Sequence, residues 1–396
     1  MQSFKDAGTS SSAYTCDFGM KQLCYFFIAS VFISGCCFSQ QHTDVESVEL
    51  AFSFDASEVN VPFHQSDFID SISFIRILSD DNFANISSMK YCKGKYYILD
   101  ANTQVIWVID SVGELFGKID HRGRARDEYL GLYKFDVNPK NGNIYIYDQP
   151  GGKVIYYSPK GKFISSFKLS SSSPVYRDFI VFPTGNILCC KLDVSGNIEA
   201  RRGVWLVDST GRFIRSLYEP DSEVRFDSIK DYYFWRINDT LVGMKAEPGN
   251  DNIYHFTENS YSYPKYHITS DRNYDHSFLK KDVLSAKRPV GCYEIHNYFE
   301  TSSIMFCDII TNTEEDVNAF HQHCIIYYDK RFSKEIVIKH PENYVFDMKF
   351  LGIMGSAEDR LFYVFTPGSL PEEYQKMYPE FEGCNQPVIQ VAYLKK

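Results

Sequence analysis

Ile144-Tyr145-Ile146-Tyr147-Asp148, Lys153–Ser158 (KVIYYS), the turn Pro159-Lys160-Gly161 and Lys162–Phe167 (KFISSF) form the stretch that decides the fold. Short runs of Val, Ile, Tyr and Phe bounded by Gly, Asn, Asp and Pro read as strands. The same layout stands on either side. Upstream are Tyr96–Asp100 (YYILD), Gln104–Asp110 (QVIWVID), Ser111-Val112-Gly113 and Glu114–Ile119 (ELFGKI). Downstream are Asn186–Lys191 (NILCCK), Gly203–Asp208 (GVWLVD), Ser209-Thr210-Gly211 and Arg212–Leu217 (RFIRSL). The turn glycines Gly113, Gly161 and Gly211 lie 48 and 50 residues apart. A repeat near fifty residues with several strands per unit is the pattern of a propeller blade.

Weaker copies continue the series. Thr240–Lys245 and Asn252–Phe256 open a fourth unit; Ser303–Ile309, Cys324–Asp329 and Glu335–Lys339 make a fifth; Arg360–Phe365 and Pro387–Leu394 make a sixth. Six units from residue 72 onward average about 54 residues each, within the blade range. Ile72–Leu78 (ISFIRIL) is left over at the start. A circular array exposes sheet edges unless its first and last strands share a blade. The expectation is therefore an all-β protein: a six-bladed β-propeller of four-stranded antiparallel blades over 71–396, closed by an N-terminal strand. The competing arrangement is a β-sandwich of unrelated hairpins.

Composition narrows the function. The 396 residues carry 41 Lys+Arg against 51 Asp+Glu, a net charge of −10, with 44% hydrophobic and 16% aromatic residues. Such an apolar load excludes a disordered chain. The acidic balance argues against nucleic acid, because phosphate contacts need clustered positive charge.

The N-terminus reads as an address. Residues 1–19 are patternless, and Met20-Lys21 opens an apolar run, Leu23–Ile33. That run is too short for a membrane-spanning helix, which needs about 20 residues, and fits the core of a signal peptide. Met20 is thus the expected start, with 1–35 as signal peptide. Ile33-Ser34-Gly35-Cys36 matches a bacterial lipobox, with Cys36 as the lipidated residue; the alternative is an ordinary secretory signal with an incidental cysteine. Residues 36–70 then form a lipidated tether and lead-in. Eleven cysteines show no CxxC pair or zinc spacing, and several sit in apolar strand-like runs, where a thiol acts as a small hydrophobe.

A family resemblance rests on Lys95–Asp100, the second strand ending at Asp110, Asn143–Asp148, and the stretch Gly123-Arg124-Ala125-Arg126-Asp127-Glu128-Tyr129-Leu130. Together these resemble the six-bladed β-propeller lipoproteins of Bacteroidetes, distantly similar to NHL-repeat propellers. In that family a glycine-rich stretch ending Gly-Glu-Tyr often fills the 123–130 loop. Here Asp127 replaces the usual glycine, and Arg126 stands where Pro or Gly is frequent. The resemblance implies a fold and an envelope location, and brings no catalytic residues.

Candidate chemistry is sparse. Asp100 and Asp148 end equivalent strands, and Asp110 and Asp208 precede equivalent turns; repetition at matched places predicts structural turn acceptors. His121, Arg122, Arg124 and Arg126 form the densest positive stretch, followed by Glu128 and Tyr129. Arg forks suit carboxylates and sulfates, so Arg122, Arg124, Arg126, Glu128 and Tyr129 are ligand-binding candidates, as are Arg201 and Arg202 in the long loop of the third unit. The alternative is a solvated loop with local ion pairs. His321 and His323 share one side of a strand as a weak metal pair with no evident third ligand, so no metal is assigned. No hydrolase, Walker, GxGxxG or HExxH signature occurs, and catalytic residues stay unassigned.

The leading expectation is an envelope-anchored, non-enzymatic binding module for a glycan, peptide or partner protein. It would be held at the lipid bilayer by acylated Cys36, in the periplasm or at the outer-membrane surface. The alternative is a polysaccharide or peptide lyase or hydrolase with its site at the central channel. No cofactor and no nucleic-acid partner are expected.

Overall fold

The computed structural model describes residues 47–52, 65–79, 83, 85–168, 175–192, 203–219, 234–246, 250–260, 262–270, 293–312, 321–339, 353–366, 369–370, 372–381 and 386–396. The signal segment, Cys36, Arg201 and Arg202 lie outside the described residues.

Six sheets form a ring. Blade 1 runs from the axis outward as β3 (Ile86–Cys92), β4 (Lys95–Asp100), β5 (Val105–Asp110) and β6 (Leu115–Ile119). Blade 2 is β7 (Lys134–Val137), β8 (Ile144–Asp148), β9 (Lys153–Tyr157) and β10 (Phe163–Lys168). Blade 3 is β11 (Val175–Val181), β12 (Ile187–Leu192), β13 (Gly203–Val207) and β14 (Phe213–Tyr218). Blade 4 is β15 (Phe234–Arg236), β16 (Leu241–Lys245), β17 (Asn252–Thr257) and β18 (Tyr263–Ser270). Blade 5 is β19 (Tyr293–Glu300), β20 (Ile304–Asn312), β21 (His321–Asp329) and β22 (Lys334–Lys339). Blade 6 is β23 (Gly355–Ala357), β24 (Arg360–Phe365), β25 (Val388–Leu394) and, from the other end of the chain, β2 (Ile69–Arg76).

The strand β2 pairs antiparallel with β25, Phe74 opposite Gln390 and Ile75 opposite Ile389. A strand from the N-terminal part of the chain and the last strand therefore share one sheet, as the edge argument requires. A further strand, β1 (Val48–Phe52), runs parallel to β18 as a fifth strand of blade 4. It falls within the stretch expected to be tether and lead-in. Leu50 and Phe52 pack between blades 4 and 5. Phe68 then meets Phe306 and Tyr327 of blade 5 before β2 enters blade 6. Strand β1 thus joins blade 4, Phe68 packs against blade 5, and β2 enters blade 6.

Packing explains why the strands read as unbroken apolar runs. Ile144 and Ile146 face the core shared with blade 1, while Tyr145 and Tyr147 face the core shared with blade 3. Likewise Tyr97 and Leu99 point toward blade 2, and Tyr96 and Ile98 toward blade 6. Every blade is buried on both faces, so both phases of the two-residue period are apolar. Six inter-blade cores result, one at each junction. Cys92, Cys189, Cys190, Cys307 and Cys324 are buried within them. Among the described residues no helix is long and apolar enough to cross a membrane.

The repeated turns share one construction. Gly113, Gly161 and Gly211 have φ of 93°, 80° and 84°, a left-handed conformation that glycine adopts without steric cost. Each donates its N–H to the carbonyl three residues back, at Asp110, Ser158 and Asp208.

Candidate functional site

Strand direction alternates within each blade, so the inner-to-second turns lie on one face of the disc. The second-to-third turns and the blade-to-blade connections lie on the other. On the first face the axis opens as a cavity of about 750 Å³, lined by the inner strands of blades 1, 2, 4 and 6 and by Ser302 of blade 5. Its wall mixes Lys90, Tyr91, Cys92 and Lys93 with Asp136, Trp235, Arg236, Asp239, Ser356 and Glu358.

An ion pair stitches three blades at the cavity wall. Asp136 is buried, and its Oδ2 accepts Arg236 at 2.5 Å and the Val181 N–H at 2.7 Å. The same guanidinium donates to the Val181 carbonyl at 2.9 Å. Asp178 repeats the device one blade on, accepting the Phe234 N–H at 3.0 Å. Trp235 crosses from blade 4 and donates its indole N–H to the Glu300 carbonyl at 2.8 Å and to Ser356 at 2.9 Å. The Cys92 thiol, pressed against the Asn138 and Pro139 carbonyls, is pushed up to about 11 by burial and by the nearby charge of Asp239. It is therefore a thiol, not a nucleophilic thiolate.

Behind Trp235, Glu300 is fully buried between blades 4 and 5. Its carboxylate meets His255 Nε2 at 2.9 Å, Tyr266 Oη at 2.8 Å, and also Tyr298 and Lys330. Burial drives its pKa upward, but the bonds and charges of His255 and Lys330 outweigh that and hold it at about 2. Gly243 makes room for this cluster, since a Cβ there would sit 2.1 Å from Tyr298 Oη. Scattered over four strands and a turn, the group has no linear signature.

On the opposite face stands the arginine-bearing connection between β6 and β7. Arg122, Arg124 and Arg126 are exposed. Glu128, a candidate acceptor, closes its own loop by taking the Ala125 N–H at 2.8 Å. Tyr129, a candidate stacking ring, is buried, and its hydroxyl donates to the Gln104 carbonyl at 2.5 Å. An aromatic beside a charged cluster thus turns inward as an anchor. The exposed ring of this connection is Tyr133, 57% accessible, which the sequence reading did not single out.

The repeated aspartates are turn acceptors. Asp148 takes the N–H groups of Leu130, Gly131 and Gly151 at 3.0–3.1 Å. Asp100 takes those of Asn85, Asn102 and Thr103. Asp110 takes those of Val112 and Glu114, and Asp208 those of Thr210 and Arg212. His321 and His323 begin β21 opposite Asn312 and Ile310, and their side chains lie outside the described residues. Among the described residues no group of three His, Cys, Asp or Glu is placed to hold a metal.

The fold and the axial cavity define a six-bladed β-propeller sealed by its own N-terminal strand. The chain belongs to the family described as domain of unknown function DUF4934, whose profile matches residues 51–385. It is similar in structure to a Bacteroides fragilis protein named for its inferred export, with a TM-score of 0.66 at 16% identity, covering 88% of this chain and 100% of that one. A DUF4221 family member from Bacteroides vulgatus gives a TM-score of 0.50 at 12% identity, covering 83% of this chain and 97% of that one. A search of the curated proteins gives no match.

Proposed function

We propose that this protein is an exported, lipid-anchored binding protein of the cell envelope whose axial cavity takes a short glycan or peptide. The observation that carries the reading is the cavity itself. Its charged, hydroxyl and aromatic groups surround a volume suited to a small polar ligand. The surrounding strands are fixed to one another by the Asp136–Arg236 and Asp178–Phe234 bonds, so a ligand meets a preorganised wall and little order must be created on binding. Binding rather than turnover is favoured because Asp136 is held as the ion-pair partner of Arg236 through Oδ2, and Cys92 is held as a thiol.

Glycan-array and peptide-library screening of the full chain, followed by calorimetry with any hit, tests this. Lys90→Ala and Asp239→Ala are expected to weaken binding about tenfold, the scale of one lost charged contact, with unchanged Tm. Conversion of the bound ligand to product, or affinity indifferent to both substitutions, would refute the reading.

Export and anchoring rest on the lipobox-like Ile33-Ser34-Gly35-Cys36 after the apolar run. The fold shared with a Bacteroides fragilis protein named for export supports the same location. Acyl chains would bury CH₂ groups at about 0.8 kcal/mol each. Cys36→Ala is expected to move the protein from the membrane to the soluble fraction on cell fractionation; unchanged membrane association would rule out lipidation there.

A further inference from the structure

Three guanidinium groups stand on a loop that the fold holds still, on the face opposite the cavity mouth. Tyr129 anchors the loop to Gln104, Asp148 holds Leu130 and Gly131, and Lys153 Nζ donates to the Ala125 carbonyl at 2.8 Å. The Tyr157 hydroxyl donates to the Asp127 carbonyl at 2.5 Å. Asp120, Asp127 and Glu128 share the loop with the arginines, yet none of them pairs with a guanidinium. Asp120 pairs with Lys118 at 3.6 Å, and Glu128 caps Ala125. Among the described residues Arg122, Arg124 and Arg126 form no ion pair, and Arg126 lies 5.9 Å from the Phe163 ring. In a chain of net charge −10, an exposed arginine triplet with its guanidinium groups unpaired on a braced loop is a local exception. Tyr133 presents its exposed ring on the same connection, beside Gly131.

We infer that this connection is a second binding site, for an anionic polysaccharide bearing carboxylate or sulfate groups. The guanidinium forks of Arg122, Arg124 and Arg126 grip the anions bidentately, and Tyr133 offers a flat face to a sugar ring. Single exposed pairs are weak, on the order of 1 kcal/mol or less. A polymer that repeats its charge engages several forks at once and gains by avidity. The exposed ring on the same connection favours a sugar polymer over a lipid headgroup.

The test uses the full chain with Cys36→Ala, so that no acyl chain contributes to retention. Polygalacturonate, dextran sulfate, neutral dextran and vesicles of phosphatidylcholine with phosphatidylglycerol are the probes. Binding to the anionic polymers is expected, falling as salt is raised, with neutral dextran not retained. Joint replacement of Arg122, Arg124 and Arg126 by Ala should weaken it at least about tenfold, and Tyr133→Ala several-fold, while Lys90→Ala in the cavity leaves it unchanged. Because these side chains are exposed, Tm should hold. Four results would each overturn the assignment: no binding to either polyanion, binding that survives the triple substitution, indifference to Tyr133→Ala, or preferential retention by the anionic vesicles.

Discussion

At Glu300 a carboxylate sits without solvent among His255, Tyr266, Tyr298 and Lys330. Removing the acid strands the buried His255 and deprives the partly buried Lys330 of its counter-charge, so Glu300→Ala should cost about 3–5 kcal/mol in urea unfolding. Its pKa of about 2 lies below the ordinary 4.5. In the window between those values the unfolded chain binds more protons than the folded one. The contribution is therefore complete above pH 4.5 and lost as pH falls toward 2. Acid titration of stability should show that loss in the native protein, and Glu300→Gln should flatten it. The repeated aspartates differ in depth. Asp148→Ala strands three N–H groups at a buried position and should cost about 3 kcal/mol, against about 1 kcal/mol for the half-exposed Asp110→Ala; equal losses would contradict the contacts seen here.

At the scale of strands, those most legible in the sequence were the second and third of each blade, because both their faces are buried and they read as YYILD or IYIYD. The inner strands were not legible. ISSMKYC, FWR and GSA turn residues toward the channel and lose the apolar run that marks a strand. The cavity is built from these strands, so its residues escaped a reading based on apolar periodicity. The arginine loop could be read from its charge, yet which of its two tyrosines faces out depended on the tertiary bonds of Tyr129. The strand β1 was missed for a different reason: its partner β18 is more than two hundred residues away, and no local pattern encodes a parallel pairing. The two N-terminal strands should also differ in consequence. Deleting residues 47–52 uncovers the edge of blade 4 and should lower Tm while a cooperative transition survives. Deletion through Arg76 removes the closure of blade 6 and should abolish that transition in circular dichroism.

For the whole molecule, each inter-blade core is shared by two sheets, so no blade can leave the ring without exposing the sides of its neighbours. Unfolding should accordingly be a single event. Tryptophan fluorescence and far-ultraviolet circular dichroism should report superimposable urea curves, since Trp107, Trp205 and Trp235 sit in blades 1, 3 and 4. Separated midpoints would show that the cores act independently.

The sharing of a sheet by β2 and β25 also fixes an order of events at birth. During synthesis β2 must wait for all six blades to be made before its mate exists, and the loop to be closed between them spans the whole ring. A product truncated before Val388 has no mate for β2 and cannot complete the circle. Completion of the final hairpin thereby serves as an integrity check on the finished polypeptide.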